Sequence, residues 1–81
     1  DDFESVILVV NGRPKKWTER KITYEQIAKL AFDNYVENGT TVYTVTYTNG
    51  PKQNFEGSMV KGDIVFVKNK MVFNVTATNR S

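Results

Sequence analysis

Residues 5–17, SVILVVNGRPKKW, and residues 22–32, ITYEQIAKLAF, decide how this chain folds. The run Val6–Val10 is β-branched apart from Leu8 and leads directly into Asn11-Gly12. Both turn residues tolerate the positive φ that a two-residue type I′ hairpin demands. The pattern predicts a first strand from about Glu4 to Val10 and a second from about Arg13 to Ile22. Pro14 has no N–H to give a ladder, so the second strand belongs at a sheet edge or is irregular near its start. The following stretch opens as a helix. Thr23 is a capping residue, and Gln26 three positions on completes a capping box. Ile27, Leu30, Ala31 and Tyr35 recur at helical spacing and form one face. Glu25, Lys29 and Asp33 form the other, with Glu25 four positions before Lys29. Asn38-Gly39 supplies a stop, which puts the end of the helix near Val36.

Downstream the period changes from helical to two. In residues 40–50, TTVYTVTYTNG, Tyr43, Val45 and Tyr47 alternate with Val42, Thr44, Thr46 and Thr48, the pattern of a strand with one buried face. Residues 52–59, KQNFEGSM, have no clear period and read as loop with at most one short edge strand. Val60 to Val67 reads as a short strand, Lys68-Asn69-Lys70 as a turn, and Met71 to Thr78 as the last strand. In that strand Met71, Phe73, Val75 and Ala77 oppose Val72, Asn74, Thr76 and Thr78.

One helix and four or five strands pack most economically as a helix laid across one face of a mixed sheet. The first and last strands are the most apolar, so they pair at the centre, in parallel, where both faces need cover. The link from hairpin to third strand becomes a right-handed crossover through the helix. This is an α+β fold of the ubiquitin-like β-grasp type, a mixed four- to five-stranded sheet packed on one helix.

The totals agree with one small domain. A chain of 81 residues buries only about 60–65% of the surface its unfolded form exposes, so each large apolar residue matters to the core. With neither cysteine nor histidine, disulfides, thiolate nucleophiles, imidazole bases and zinc sites of nitrogen and sulfur ligands are excluded. The longest apolar run, Val6–Val10, is far short of the roughly 20 residues of a membrane span. The expected protein is soluble, cytoplasmic and without a cofactor. The carboxylates sit singly on surfaces and turns, with no glycine-rich phosphate loop and no nucleophile beside a base, so no enzyme is expected. A net charge of +2 is too small to imply nucleic acid by itself. The chain opens Asp1-Asp2-Phe3 without methionine, which points to one unit of a longer or multi-repeat protein.

The segments VNGRPKKW, ITYEQIAKLAF, TVYTVTY, EGSMVKGD and KMVFNVTATNRS, in that order from about Val6 to Ser81, resemble the bacterial multiubiquitin domain. That family consists of ubiquitin-like modules, single or in tandem, encoded near ubiquitin-type activating and conjugating enzymes and a JAB-type metallopeptidase. A weaker similarity, VNG-x-P before a helix and KGD before a hairpin, links the chain to sulfur-carrier β-grasp proteins. The resemblance implies a protein modifier of a bacterial ubiquitin-type conjugation system, handled by those enzymes. It departs from ubiquitin in one respect. Ubiquitin and the sulfur carriers act through a C-terminal diglycine that is adenylated, whereas this chain closes Thr78-Asn79-Arg80-Ser81. The functional tail lies downstream, or the enzymes accept another end, or the domain is an internal repeat that is never activated.

Two candidate sites follow. One is a patch on the sheet face away from the helix, built from Ile7, Val9, Thr44, Val72 and Asn74, since ubiquitin-type modules are recognised on that face and small exposed apolar patches mark interfaces. It requires Val6, Leu8 and Val10 to face the helix, the first strand being apolar on both faces, and the alternatives are the inverted phase and ordinary sheet surface. The other is the tail, Thr76, Thr78, Asn79, Arg80 and Ser81, as a segment for an enzyme groove or for processing, the alternative being a solvated terminus or linker. Trp17 reads as packed under a loop more readily than as a binding anchor. Lys15, Lys16, Lys21, Lys29, Lys52, Lys61, Lys68 and Lys70 read as solvated surface unless chains of modifiers form. Two rival functions are an adaptor repeat that only docks partners, and a nucleic-acid module using Tyr43, Tyr47, Phe66 and Phe73. The nucleic-acid reading is the weaker, because Phe73 keeps phase with Met71 and Val75 as a core residue does.

Overall fold

The computed structural model describes residues 5–32 and 41–79. The strands are β1 (Val6–Val10), β2 (Arg13–Trp17), β3 (Lys21–Thr23), β4 (Thr41–Thr48), β5 (Gly57–Met59), β6 (Ile64–Phe66) and β7 (Met71–Asn79). The helix α1 (Tyr24–Ala31) lies between β3 and β4, and a single 3-10 turn covers Lys52–Asn54. Five strands form a mixed sheet in the order β2-β1-β7-β4-β5, while β3 and β6 form a separate two-stranded ribbon. This is the β-grasp arrangement expected from the sequence. The central pair β1 and β7 is parallel, Leu8 opposite Met71 and Val10 opposite Phe73, and its other neighbours run antiparallel.

The hairpin forms as its sequence dictates. Asn11 at φ 53° and Gly12 at φ 81° take the two left-handed positions, and Val10 pairs with Arg13 across them. Asn11 also reaches beyond the turn. Its backbone N–H donates to the Phe73 carbonyl at 2.9 Å. Its side-chain amide donates to the Val75 carbonyl at 3.0 Å and accepts from the Val75 N–H at 2.8 Å. The side chain thus acts as a further residue of β1 after the strand itself has turned away.

At α1, Thr23 Oγ1 accepts from the Gln26 N–H and Gln26 Oε1 accepts from the Thr23 N–H, the reciprocal capping box. Tyr24, Ile27 and Ala28 are buried and Leu30 and Ala31 half-buried against the core. The helix stops earlier than the expected Val36. Phe32 already has extended backbone at φ −132° and ψ 120°, and its ring lies 5.7 Å from that of Tyr43. Phe32 is more useful as a bridge to β4 than as another helical residue. The expected face residue Tyr35 and the stop Asn38-Gly39 lie outside the described residues.

Two further boundaries differ from the sequence-based expectation. The predicted strand Arg13–Ile22 breaks after Trp17, whose indole N–H donates to the Lys21 carbonyl at 2.9 Å. The chain bends there, leaves the main sheet and buries Ile22 while pairing with β6. The predicted strand Val60–Val67 shortens to β6 because residues 60–63 form a turn. Asp63 Oδ2 accepts from the Val60 N–H, the Asp63 N–H donates back to the Val60 carbonyl, and Gly62 sits at φ 95°. The stretch read as loop with at most one short edge strand does carry one, the edge strand β5, which pairs with β4 from Val45–Met59 to Tyr47–Gly57.

The core lies between α1, the inner sheet face and the ribbon. Leu8, Val10, Ile22, Ile27, Val45, Met71 and Phe73 are sealed from solvent there. Tyr24 crosses it to donate its hydroxyl to the Tyr43 carbonyl at 2.7 Å.

Candidate functional site

Strand alternation decides what the outer sheet face presents. Because Leu8 and Val10 are buried, Ile7 and Val9 point away from the helix. On β7 the buried Met71, Phe73 and Val75 turn Val72, Asn74 and Thr76 outward, and on β4 the buried Tyr43, Val45 and Tyr47 do the same for Thr44, Thr46 and Thr48. All five expected patch residues, Ile7, Val9, Thr44, Val72 and Asn74, therefore share one face.

Register divides that face into two ends. At one end Val9 is flanked by Pro14 on β2 and Val72 on β7, while Ile7 stands opposite Lys16. Ile7 is the exposed member, at 40%. Its backbone is held by the turn before β7, its N–H donating to Asn69 Oδ1 at 2.9 Å and its carbonyl accepting from the Lys70 N–H. This is a short apolar ridge rimmed by lysine. The other end is hydroxyl-rich: Thr46 faces Asn74 on one side and Ser58 on the other, and Thr44 faces Thr76. Side chains paired across neighbouring strands stand about 5 Å apart, so this end is a lawn of short polar groups. Thr44 and Asn74 belong to it rather than to the apolar ridge.

The C-terminal strand continues as an ordered ladder, one residue past the expected Thr78. Thr76 pairs with Thr44, Thr78 with Val42 and Asn79 with Thr41. On its other flank β7 meets β1 only from Met71 to Phe73, and Asn11 extends that contact to Val75. From Thr76 to Asn79 it is paired with β4 alone, among the described residues. Thr76, Thr78 and Asn79 are therefore strand residues at the end of a sheet rather than a free tail. Arg80 and Ser81 lie outside the described residues.

Pro14, Lys16 and Ser58 border the patch without having been anticipated. The first two were available from the hairpin itself, since a two-residue turn at Asn11-Gly12 puts Pro14 opposite Val9 and Lys16 opposite Ile7. Ser58 was not, because β5 has no pattern of its own. Trp17 is half-buried against the core. Seven of the eight lysines are exposed and Lys15 is half-buried. Phe73 is fully buried and paired with Tyr47 at 6.0 Å, which removes two of the rings a stacking surface on the sheet would need. No helix among the described residues is long and apolar enough to cross a membrane.

The arrangement offers a surface for recognition: an apolar ridge, a hydroxyl-rich extension and a strand that runs on along the sheet to Asn79. A family model described as multiubiquitin matches residues 6–79. No curated protein and no solved structure gives a significant match.

Proposed function

The chain belongs to the multiubiquitin family, and from that premise we propose that it serves in the cytoplasm as a ubiquitin-like protein modifier or modifier-like domain. Its partners are ubiquitin-type activating and conjugating enzymes and a JAB-type peptidase. The observation that supports this reading is the outer sheet face of a β-grasp, where Ile7, Val9 and Val72 form an exposed or half-exposed ridge beside Lys16. A partner enzyme gains apolar burial at the ridge and hydrogen bonds to the threonine-rich end. The domain is the thing recognised, and catalysis belongs to the partners.

A second reading, the adaptor repeat, is favoured by the pairing of β7 with β4 as far as Asn79 opposite Thr41, which keeps this stretch within the sheet. The adaptor uses the same outer face and forms no covalent bond. Incubating the full-length protein with its neighbouring activating enzyme and ATP, then examining it by intact mass spectrometry, separates the two. An adenylate or conjugate establishes the modifier. Stable binding of the enzyme with no adduct establishes the adaptor. Absence of both would overturn the assignment of these partners.

A further inference from the structure

Large apolar side chains are exposed at five described positions, and only Ile7 belongs to the outer sheet face. The other four, Phe55 (53% exposed), Val60 (65%), Ile64 (56%) and Phe66 (44%), gather around the β3–β6 ribbon. The ribbon turns Ile22 and Val65 toward the core, so Ile64 and Phe66 point outward, with Thr23 and Lys21 as their cross-strand neighbours. Asn54 Nδ2 donates to the Phe66 carbonyl at 3.1 Å, which keeps Phe55 beside β6. The Asp63–Val60 hydrogen bonds fold Val60 back next to Ile64. Scattered single hydrophobics are ordinary on a protein surface, but here four lie on or next to one ribbon, with the Asn54–Phe66 and Val60–Asp63 hydrogen bonds drawing their backbones toward β6, and such a grouping is a candidate apolar patch. Beside Ile64 the surface dips into a hollow of about 460 Å³ bounded by the turn at residues 18–21, Thr23 and Gln26.

The charges around this patch have a sign. Residues 18–21 and 52–68 carry Arg20, Lys21, Lys52, Lys61 and Lys68 against Glu19, Glu56 and Asp63. That excess equals the net charge of the whole chain, +2. Asp63 also turns its Oδ2 inward to the Val60 N–H, and Lys21 holds its ammonium 5.8 Å from the Phe66 ring centroid. We infer that the outward face of the β3–β6 ribbon docks an acidic amphipathic segment of a partner protein. An apolar side chain of that segment enters the hollow beside Ile64, and its flanking carboxylates meet Lys21, Lys52 and Lys68. A polynucleotide fits less well. Phe55 and Phe66 give two rings for stacking, but Val60 and Ile64 offer only aliphatic surface, which suits an apolar peptide side chain rather than a base. This surface is separate from the outer sheet face, so one domain is able to hold two partners at once.

The test is an amide NMR titration of the isotope-labelled chain with an N-acetylated, C-amidated helical peptide of alternating leucine and glutamate faces, alongside the same peptide with lysine for glutamate. Saturable shifts centred on Lys21, Thr23, Phe55, Ile64 and Phe66, produced by the acidic peptide alone, are the expected result. Phe66→Ser and Lys21→Glu should each weaken binding about tenfold or more, the scale of a hot-spot loss, while Ile7→Asp leaves it unchanged. Both ribbon substitutions are at exposed positions, and an otherwise preserved spectrum verifies their fold. Four results overturn the inference: no saturable shift, shifts centred on Ile7, Val9 and Val72, an equal response to the basic peptide, or stronger perturbation of the ribbon by single-stranded oligothymidine. Concentration-dependent shifts at the ribbon without peptide would also overturn it, because the occupant would then be a second copy of the chain.

Discussion

Replacing Asn11 tests the link between turn chemistry and the central strand pair. Asn11 does two separable jobs: it occupies a left-handed backbone position at φ 53°, and its amide closes two hydrogen bonds onto Val75, 64 residues away in sequence. Asn11→Gly keeps the conformation and deletes the amide. At about 0.5–1.5 kcal/mol per hydrogen bond, the expected loss is about 1–3 kcal/mol. The low end applies if water reaches Val75. Asn11→Ala deletes the same bonds and adds the cost of a Cβ in the left-handed region, about 1–2 kcal/mol more. For a domain of this size each kcal/mol lowers Tm by roughly 4–8 °C. The assay is urea denaturation at constant m, with hydrogen exchange at the Val75 amide as a local reporter. Exchange should accelerate in both variants, while only the alanine carries the additional global loss. If Asn11→Gly changes stability by less than about 0.5 kcal/mol and leaves Val75 protected, the idea that this side chain extends β1 is wrong.

Four other outcomes follow from the packing. Ile27→Ala should cost about 2–5 kcal/mol as a truncation in a sealed core; Leu30→Ala, at a half-buried position, should cost clearly less in the same denaturation assay, and equality would mean the helix is rotated. Gly50→Ala would drive a methyl into the Asn54 carbonyl and to 2.9 Å from Met71 Cε, so a loss of about 1–3 kcal/mol from overpacking is expected in thermal unfolding. Tyr24→Phe removes the hydroxyl bonded to the Tyr43 carbonyl and should cost about 1 kcal/mol with the fold intact by circular dichroism. Ile7→Lys, on the outer ridge, should leave Tm within a few degrees while reducing retention of the activating enzyme in a binding assay. Unchanged retention would move the recognition surface elsewhere.

The parts of this protein visible in its sequence are those governed by near neighbours. Asn11-Gly12 has the conformational tolerance a two-residue turn requires, and Thr23 and Gln26 satisfy each other across three positions. Tyr43, Val45 and Tyr47, like Met71, Phe73 and Val75, declare a buried face by alternation alone. The patch residues on β4 and β7 followed from the same alternation, whereas β1 is apolar on both faces and only the burial of Leu8 and Val10 turned Ile7 and Val9 outward. The ends of elements were misjudged, at Phe32, Trp17 and Val60, and the stretch without a period was legible only as loop with room for one short edge strand. β5 has three residues, Gly57-Ser58-Met59, and is a strand only because β4 offers it an edge.

Sequence by itself determined the turn, the cap, the buried phase of each long strand and the absence of cysteine and histidine chemistry, because local sterics and solvent partition settle each of these. Tertiary structure decided where α1 and β2 stop. Phe32 leaves the helix to stack near Tyr43, and Trp17 closes a bend onto the Lys21 carbonyl, contacts whose partners no local pattern encodes. It also decided that Val60, Ile64 and Phe66 would surface together. Residues Ile64 to Val67 read as one apolar run, and only the pairing of β6 with β3 shows which side of that run the core was able to cover.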